Sequence, residues 1–135
     1  MKKHIVAALV SLVAASGFAV EAVPSALIPI PQKVEHREGS YSFTPTTRII
    51  VDKASEENGR YLAQKLSASV GRKFTAATKD APEVRDNSNI VIRQDGAGLG
   101  PEGYELTVLP KSILIRAADC AGGFYGVQTL LQLLA

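Results

Sequence analysis

The stretch GYELTVLPKSILIRAADCAGGFYGVQTLLQLLA, Gly103 to Ala135, decides the fold of this chain. It opens with two alternating runs, Gly103–Leu109 and Ser112–Ala117, separated only by Pro110 and Lys111. So brief a connection forces an antiparallel hairpin. Strand periodicity puts Tyr104, Leu106 and Val108 on one face and Glu105 and Thr107 on the other. In the second arm Ile113 and Ile115 oppose Leu114 and Arg116. One face therefore packs on helices and the other is partly wet. The period then changes. Phe124, Val127, Leu130, Leu131 and Leu134 follow helical spacing and predict an amphipathic helix over Gly122 to Ala135. Gly122, Gly123 and Gly126 suit a tight turn and a close helix–sheet approach. Helices usually close on Gly or Asn after a basic last turn, whereas this one runs out on Leu133, Leu134 and Ala135. The expectation is the leading piece of a longer protein, whose exposed Leu131 and Leu134 favour self-association.

Upstream, the same alternation of elements continues. Thr47–Asp52 is rich in β-branched residues and predicts a strand, with a shorter one at Tyr41–Phe43 stopped by Pro45. A helix follows. Ser55 is its expected N-cap, Glu56 and Glu57 favour the positive helix start, and Gly71 stands where a left-handed residue ends it. Leu62, Leu66 and Val70 recur at i, i+4, i+8, joined by Ala63 and, at the edge, Tyr61, as one buried stripe. Phe74–Ala77 and Asn89–Arg93 predict two more strands, and Ala81–Ser88 and Gly96–Pro101 are loops. The sum is an α+β fold, a small mixed or antiparallel sheet with two helices packed on one face.

The first residues read as a processing signal. Lys2 and Lys3 precede an apolar run from Ile5 to Val20, and small residues offer cleavage after Ala19 or Ala22. The run is shorter than the roughly 20 residues a bilayer core needs, and Ser11, Ser16 and Gly17 interrupt it. Residues 1–22 are thus an expected leader for export to the periplasm or medium, and 23–135 a single domain. Its opening segment, Val23–Pro31, is extended by Pro24, Pro29 and Pro31. The formal net charge of the chain is +2, with basic and acidic residues interspersed, which argues against nucleic acid as a partner. No run in 23–135 is long and apolar enough to span a membrane. A single cysteine excludes an internal disulfide.

Catalytic chemistry needs proton-exchanging or nucleophilic groups within reach of one another. His36, the one histidine beyond the leader, sits among Lys33, Glu35, Arg37 and Glu38 and reads as solvated. No His or Cys spacing suits a metal. Gly98, Gly100 and Gly103 spell a formal dinucleotide fingerprint, but it leads into a strand instead of a helix, and Pro101 removes a backbone donor. The acid pairs Glu56/Glu57 and Glu102/Glu105 diverge around a helix and across a strand. Cys120 reads as a small packed thiol. No catalytic, cofactor-binding or metal residue is assigned.

The stretch Glu102–Leu134 resembles the end of the small N-terminal domain of family 20 glycoside hydrolases, the exo-β-N-acetylhexosaminidases. Ile28–Phe43, with its Pro-x-Pro and a Gly before the first strand, is similar to that domain's start. Similar domains precede the barrels of family 84 and hyaluronidase-like enzymes. The resemblance implies an α+β domain packed against a catalytic (β/α)8 barrel. In family 20 the barrel carries an adjacent Asp-Glu pair, whose Glu protonates the leaving oxygen while the Asp orients the substrate's 2-acetamido nucleophile. This chain has neither an Asp-Glu dipeptide nor a tryptophan. What the resemblance implies is therefore a non-catalytic, cofactor-free domain. The alternative is a stand-alone carbohydrate-binding or protein-interaction module.

Overall fold

A computed structural model of the chain describes residues 4–12, 33–80, 82–83 and 89–134, with side chains from Tyr41 onward. The cleavage region and the proline-rich segment at 23–31 lie outside the described residues, as does most of the 81–88 loop. Strands β1 (His4–Leu12), β2 (Lys33–Ser42), β3 (Ile49–Val51), β4 (Ala76–Thr78), β5 (Asn89–Arg93), β6 (Tyr104–Leu109) and β7 (Ser112–Ala117) form one sheet. Helices α1 (Glu56–Val70) and α2 (Cys120–Leu134) complete the chain. The strand order is β2-β1-β6-β7-β5-β3-β4. Pairings are antiparallel from β2 to β7 and parallel from β7 to β4, so the sheet is mixed. The α+β fold expected from the sequence is the one observed.

The hairpin is as read. Leu109 pairs with Ser112 and Tyr104 with Ala117. Tyr104, Leu106, Val108, Ile113, Ile115 and Ala117 are buried toward the helices, while Glu105, Thr107, Leu114 and Arg116 are half-exposed. The parallel half behaves differently. Ile49, Val51, Ile90 and Ile92 face the helices, yet Val91 is also 0% exposed and Ile50 7%. Both faces are therefore buried at β3 and along Asn89–Ile92 of β5, as parallel strands generally require, while the second face is partly wet at the hairpin and at the edge strand β4. On that second face Pro82 is buried, and its carbonyl accepts from Arg93 Nη1 at 3.2 Å.

Helix α1 buries Leu62, Leu66 and Ala63, with Tyr61 and Val70 half-buried at the margins. Gly71 ends it in the left-handed region at φ 76°. Its start departs from expectation. Ser55 makes no side-chain cap; a 3-10 turn, Lys53–Ser55, precedes the helix, and Asp52 accepts from Ser55 N at 3.0 Å. Asp52 also accepts from Gln94 N at 2.7 Å, which ties the turn to the end of β5. Helix α2 begins at Cys120, two residues ahead of the expected Gly122, because Asp119 caps it by accepting from Gly122 N at 2.8 Å. Its three glycines lie within the helix, and close approach, not a turn, explains them. A Cβ on Gly126 would sit 2.7 Å from Ile115 Cγ2 and 3.2 Å from Tyr104 Cδ2. Leu134, expected exposed, is buried against the core, and Leu131 is half-buried. Neither leucine forms the exposed patch that the self-association expectation needs.

Candidate functional site

The residues weighed for chemistry are dispersed, and those with described partners serve structure. His36 lies in β2, and its side chain is outside the described residues. Glu56 pairs with Arg60 at 3.5 Å and accepts from Thr78 Oγ1 at 3.1 Å, beside a shallow cavity of about 270 Å³ floored by Val51 and Ala76. Glu57 points to solvent. Glu105 faces Arg116 at 4.0 Å, while the Glu102 backbone N–H donates to Asp119. In each pair one carboxylate, Glu56 or Glu105, is tied to an arginine, Arg60 or Arg116. Gly98 and Gly100 occupy left-handed turns that feed β6, not a helix start. Cys120, expected packed, is exposed at the first position of α2; Asn58 Nδ2 reaches its carbonyl at 3.0 Å. Among the described residues, no three His, Cys, Asp or Glu side chains come together to hold a metal.

What the two helices do create is an outward-facing aromatic cluster. Their inner faces cover the sheet; at the α1–α2 seam Tyr61 and Tyr125 are half-buried against the core, and Phe124 of α2 stands exposed beside them. The two ring centroids are 5.3 Å apart, and Tyr125 lies 6.2 Å from Phe124. Gln128 Nε2 donates to the Tyr61 hydroxyl at 2.9 Å, and Lys65 Nζ stands 5.5 Å above the Tyr61 ring. Phe124 is 39% exposed and is the one exposed large hydrophobic side chain among the described residues. The helical pattern had placed Phe124 on the same face as Val127 and Leu130. The 100° advance per residue separates them, and Val127, Leu130 and Leu134 take the sheet side.

The descent of this domain is legible in comparison with known proteins. Residues 24–135 match the family described as glycosyl hydrolase family 20, domain 2. The chain belongs to that family. A β-hexosaminidase of Porphyromonas gingivalis is 33% identical over 112 residues, which cover 80% of this chain and 14% of that protein. Among solved structures, the Streptomyces plicatus N-acetyl-β-hexosaminidase in complex with thio-NAglucal superposes at TM-score 0.58 and 37% identity, covering 69% of this chain and 18% of that one. The family 20 β-N-acetylhexosaminidase of Streptomyces coelicolor gives 0.59 and 35%, covering 70% and 18%. The chain therefore spans less than a fifth of the length of these relatives. The family 20 domain match runs from the proline-rich segment through α2, so β1 lies entirely outside it.

Proposed function

We propose that this chain is the non-catalytic N-terminal domain of an exported β-N-acetylhexosaminidase, and that it packs against a catalytic barrel through the outer face of α1 and α2. The observation that carries the reading is the match of residues 24–135 to family 20 domain 2. The larger hexosaminidases named above, of which this chain covers a small share, support it. Among the described residues, the acids weighed above, Glu56 with Glu57 and Glu102 with Glu105, do not converge as a pair that could cleave a glycoside. The exposed Phe124, braced by Tyr61, is the feature a packing face requires: covering the 39% of it that meets water gains about 1 kcal/mol, a fraction of the value for burying a whole apolar side chain. Export is supported by Lys2 and Lys3 ahead of the apolar run, and by a family match that starts just past Ala22.

The pure 135-residue chain, offered a chromogenic N-acetylglucosaminide, should release no chromophore; turnover overturns the reading. A second reading, a carbohydrate-binding module, draws on the same exposed Phe124. Geometry disfavours it. The Tyr61 and Phe124 rings are inclined by 51°, and those of Phe124 and Tyr125 by 62°, so they offer no flat platform for a sugar ring. Saturable binding of chitin oligosaccharides by the isolated chain would favour that module instead.

A further inference from the structure

Strand β1 is not an edge strand. On one side it pairs antiparallel with β2, from His4–Ser42 to Ser11–Lys33. On the other it pairs antiparallel with β6, through Leu9–Thr107, Val10–Leu106, Ser11–Glu105 and Leu12–Tyr104. β2 and β6 therefore run parallel to one another, with β1 between them. Yet β1 lies wholly upstream of the residues that match the family domain, and within the segment read as an export leader. At Leu9–Leu12 the strand has neighbours on both sides, and upstream of Leu9 it pairs with β2 alone; amides committed in this way become available only when the sheet opens. A leader, by contrast, must present itself as an unpaired apolar segment.

We infer that residues 4–12 have two mutually exclusive fates: in the folded full chain they are a sheet strand, paired with β2 along most of its length and with β6 at Leu9–Leu12, and so withheld from the leader recognition that must precede cleavage. The stretch HIVAALVSL suits both roles, since its apolar and β-branched residues serve a leader's core and a strand equally. Recognition must then precede folding, and a chain that folds first retains its leader. Removal of the leader strips β6 of its β1 partner along Tyr104–Thr107, leaving β7 on the other side, and separates β2 from the hydrogen-bonded ladder. The meaning for export rests on the reading given above; the strand itself does not.

Hydrogen exchange followed by mass spectrometry on the intact 135-residue chain tests the strand. Amides of residues 4–12 should exchange on the order of 100-fold more slowly than in an unstructured peptide, in step with those of Tyr104–Thr107. Exchange of 4–12 at the unstructured rate, with Ile113–Ile115 still protected, overturns the inference. Leu9→Pro removes a donor from the middle of β1, a position proline does not tolerate. It should release 4–12 and those amides of Tyr104–Thr107 that face β1, while the amides of β6 that face β7 and those of Ile90–Ile92 stay protected. If the variant unfolds altogether, the wild-type measurement alone decides. Signal peptidase added during cell-free synthesis should cut the chain, and added after folding should not. Equal cutting at both times refutes the exclusion. No cutting at either time, with β1 protected, refutes export and leaves the strand standing.

Discussion

Gly122 of α2 rests on the backbone carbonyl of Gly103, so closely that any Cβ at position 122 would collide with that oxygen. The carbonyl cannot swing aside, because it also accepts from Ala118 N at 2.9 Å, the bond that ties the start of β6 to the end of β7. Backbone thus meets backbone where helix, hairpin and loop converge.

Gly122→Ala should therefore destabilise the chain, although alanine favours a helix by about 1 kcal/mol over glycine. Overpacking against immovable backbone costs about 1–3 kcal/mol before that gain, and a collision this direct belongs at the upper end. A net loss of about 2 kcal/mol is expected in urea unfolding. Gly126→Ala meets a methyl and a ring edge, which can shift slightly, and should cost less. A midpoint unchanged or raised in the first variant would show that α2 sits farther from the sheet.

These contacts explain what the sequence made legible and what it hid. The β6–β7 hairpin was readable because its two faces differ in exposure, so burial alternates along Tyr104–Leu109. The faces of β3 and β5 were not. IIV and NIVIR are apolar on both sides, and a continuous run carries no record of which residue meets which layer. Glycines 122, 123 and 126 carried the signal for close packing, but the same residues also signal turns, and so the start of α2 was read late. That shift turned Cys120 outward. Asp52 and Asp119, the residues that cap the helix starts, sit one turn before the glutamates and glycines that drew attention. The outward aromatic cluster depends on a pairing across helices 63 positions apart in sequence, Tyr61 with Phe124, which no local pattern encodes. Likewise, composition alone could not distinguish strand from leader for His4–Leu12.

Asp119 bridges two segments, accepting from Glu102 N at 2.9 Å and from Gly122 N at 2.8 Å. Those donors, Glu102 foremost, hold its carboxyl below the usual carboxylate range. A carboxyl depressed on folding stabilises the chain above its unfolded pKa of about 3.9 and loses that contribution as pH falls through the folded value. Asp95 acts in the same direction: burial pushes its carboxyl up, but hydrogen bonds and charge from Arg93, then Arg116, outweigh it. Stability should thus fall off below about pH 4. Asp119→Asn, whose single amide oxygen cannot accept from both donors, should lower Tm slightly at neutral pH and flatten the acid limb, leaving the share due to Asp95. An acid limb unchanged by the substitution would refute the bridge.

The Tyr104 hydroxyl and Thr129 Oγ1 are hydrogen-bonded between sheet and helix, and both residues are fully buried. Removing either partner leaves the other unsatisfied in an apolar layer. Tyr104→Phe and Thr129→Val should each cost about 1–2 kcal/mol. The double variant should lose less than the two singles together, by about 1 kcal/mol, since the second substitution removes a group already orphaned. Strict additivity would mean that the two hydroxyls find other partners.

Tyr41 gives the fold an alkaline limit. Its ring is fully buried and meets Phe43 edge-on, with centroids 5.4 Å apart. Burial pushes its hydroxyl from 10.0 up to about 12, against a smaller opposing pull from the Thr47 hydrogen bond and the Arg72 charge. Burial raises Tyr104 as well. A phenol whose pKa rises on folding stabilises the chain fully below the unfolded value and loses that contribution as pH climbs through the folded one. Between about pH 10 and pH 12 the chain should therefore lose roughly 3 kcal/mol on account of Tyr41 alone. Tyr41→Phe removes the titration while keeping the ring, so its stability should decline less steeply across that window. Tyrosinate absorbance offers the direct check: the ionisation that Tyr41→Phe removes should be a late one, coinciding with unfolding. A Tyr41 ionisation near pH 10, with the β6–β7 amides still protected, would place Tyr41 in contact with water and remove it from the core.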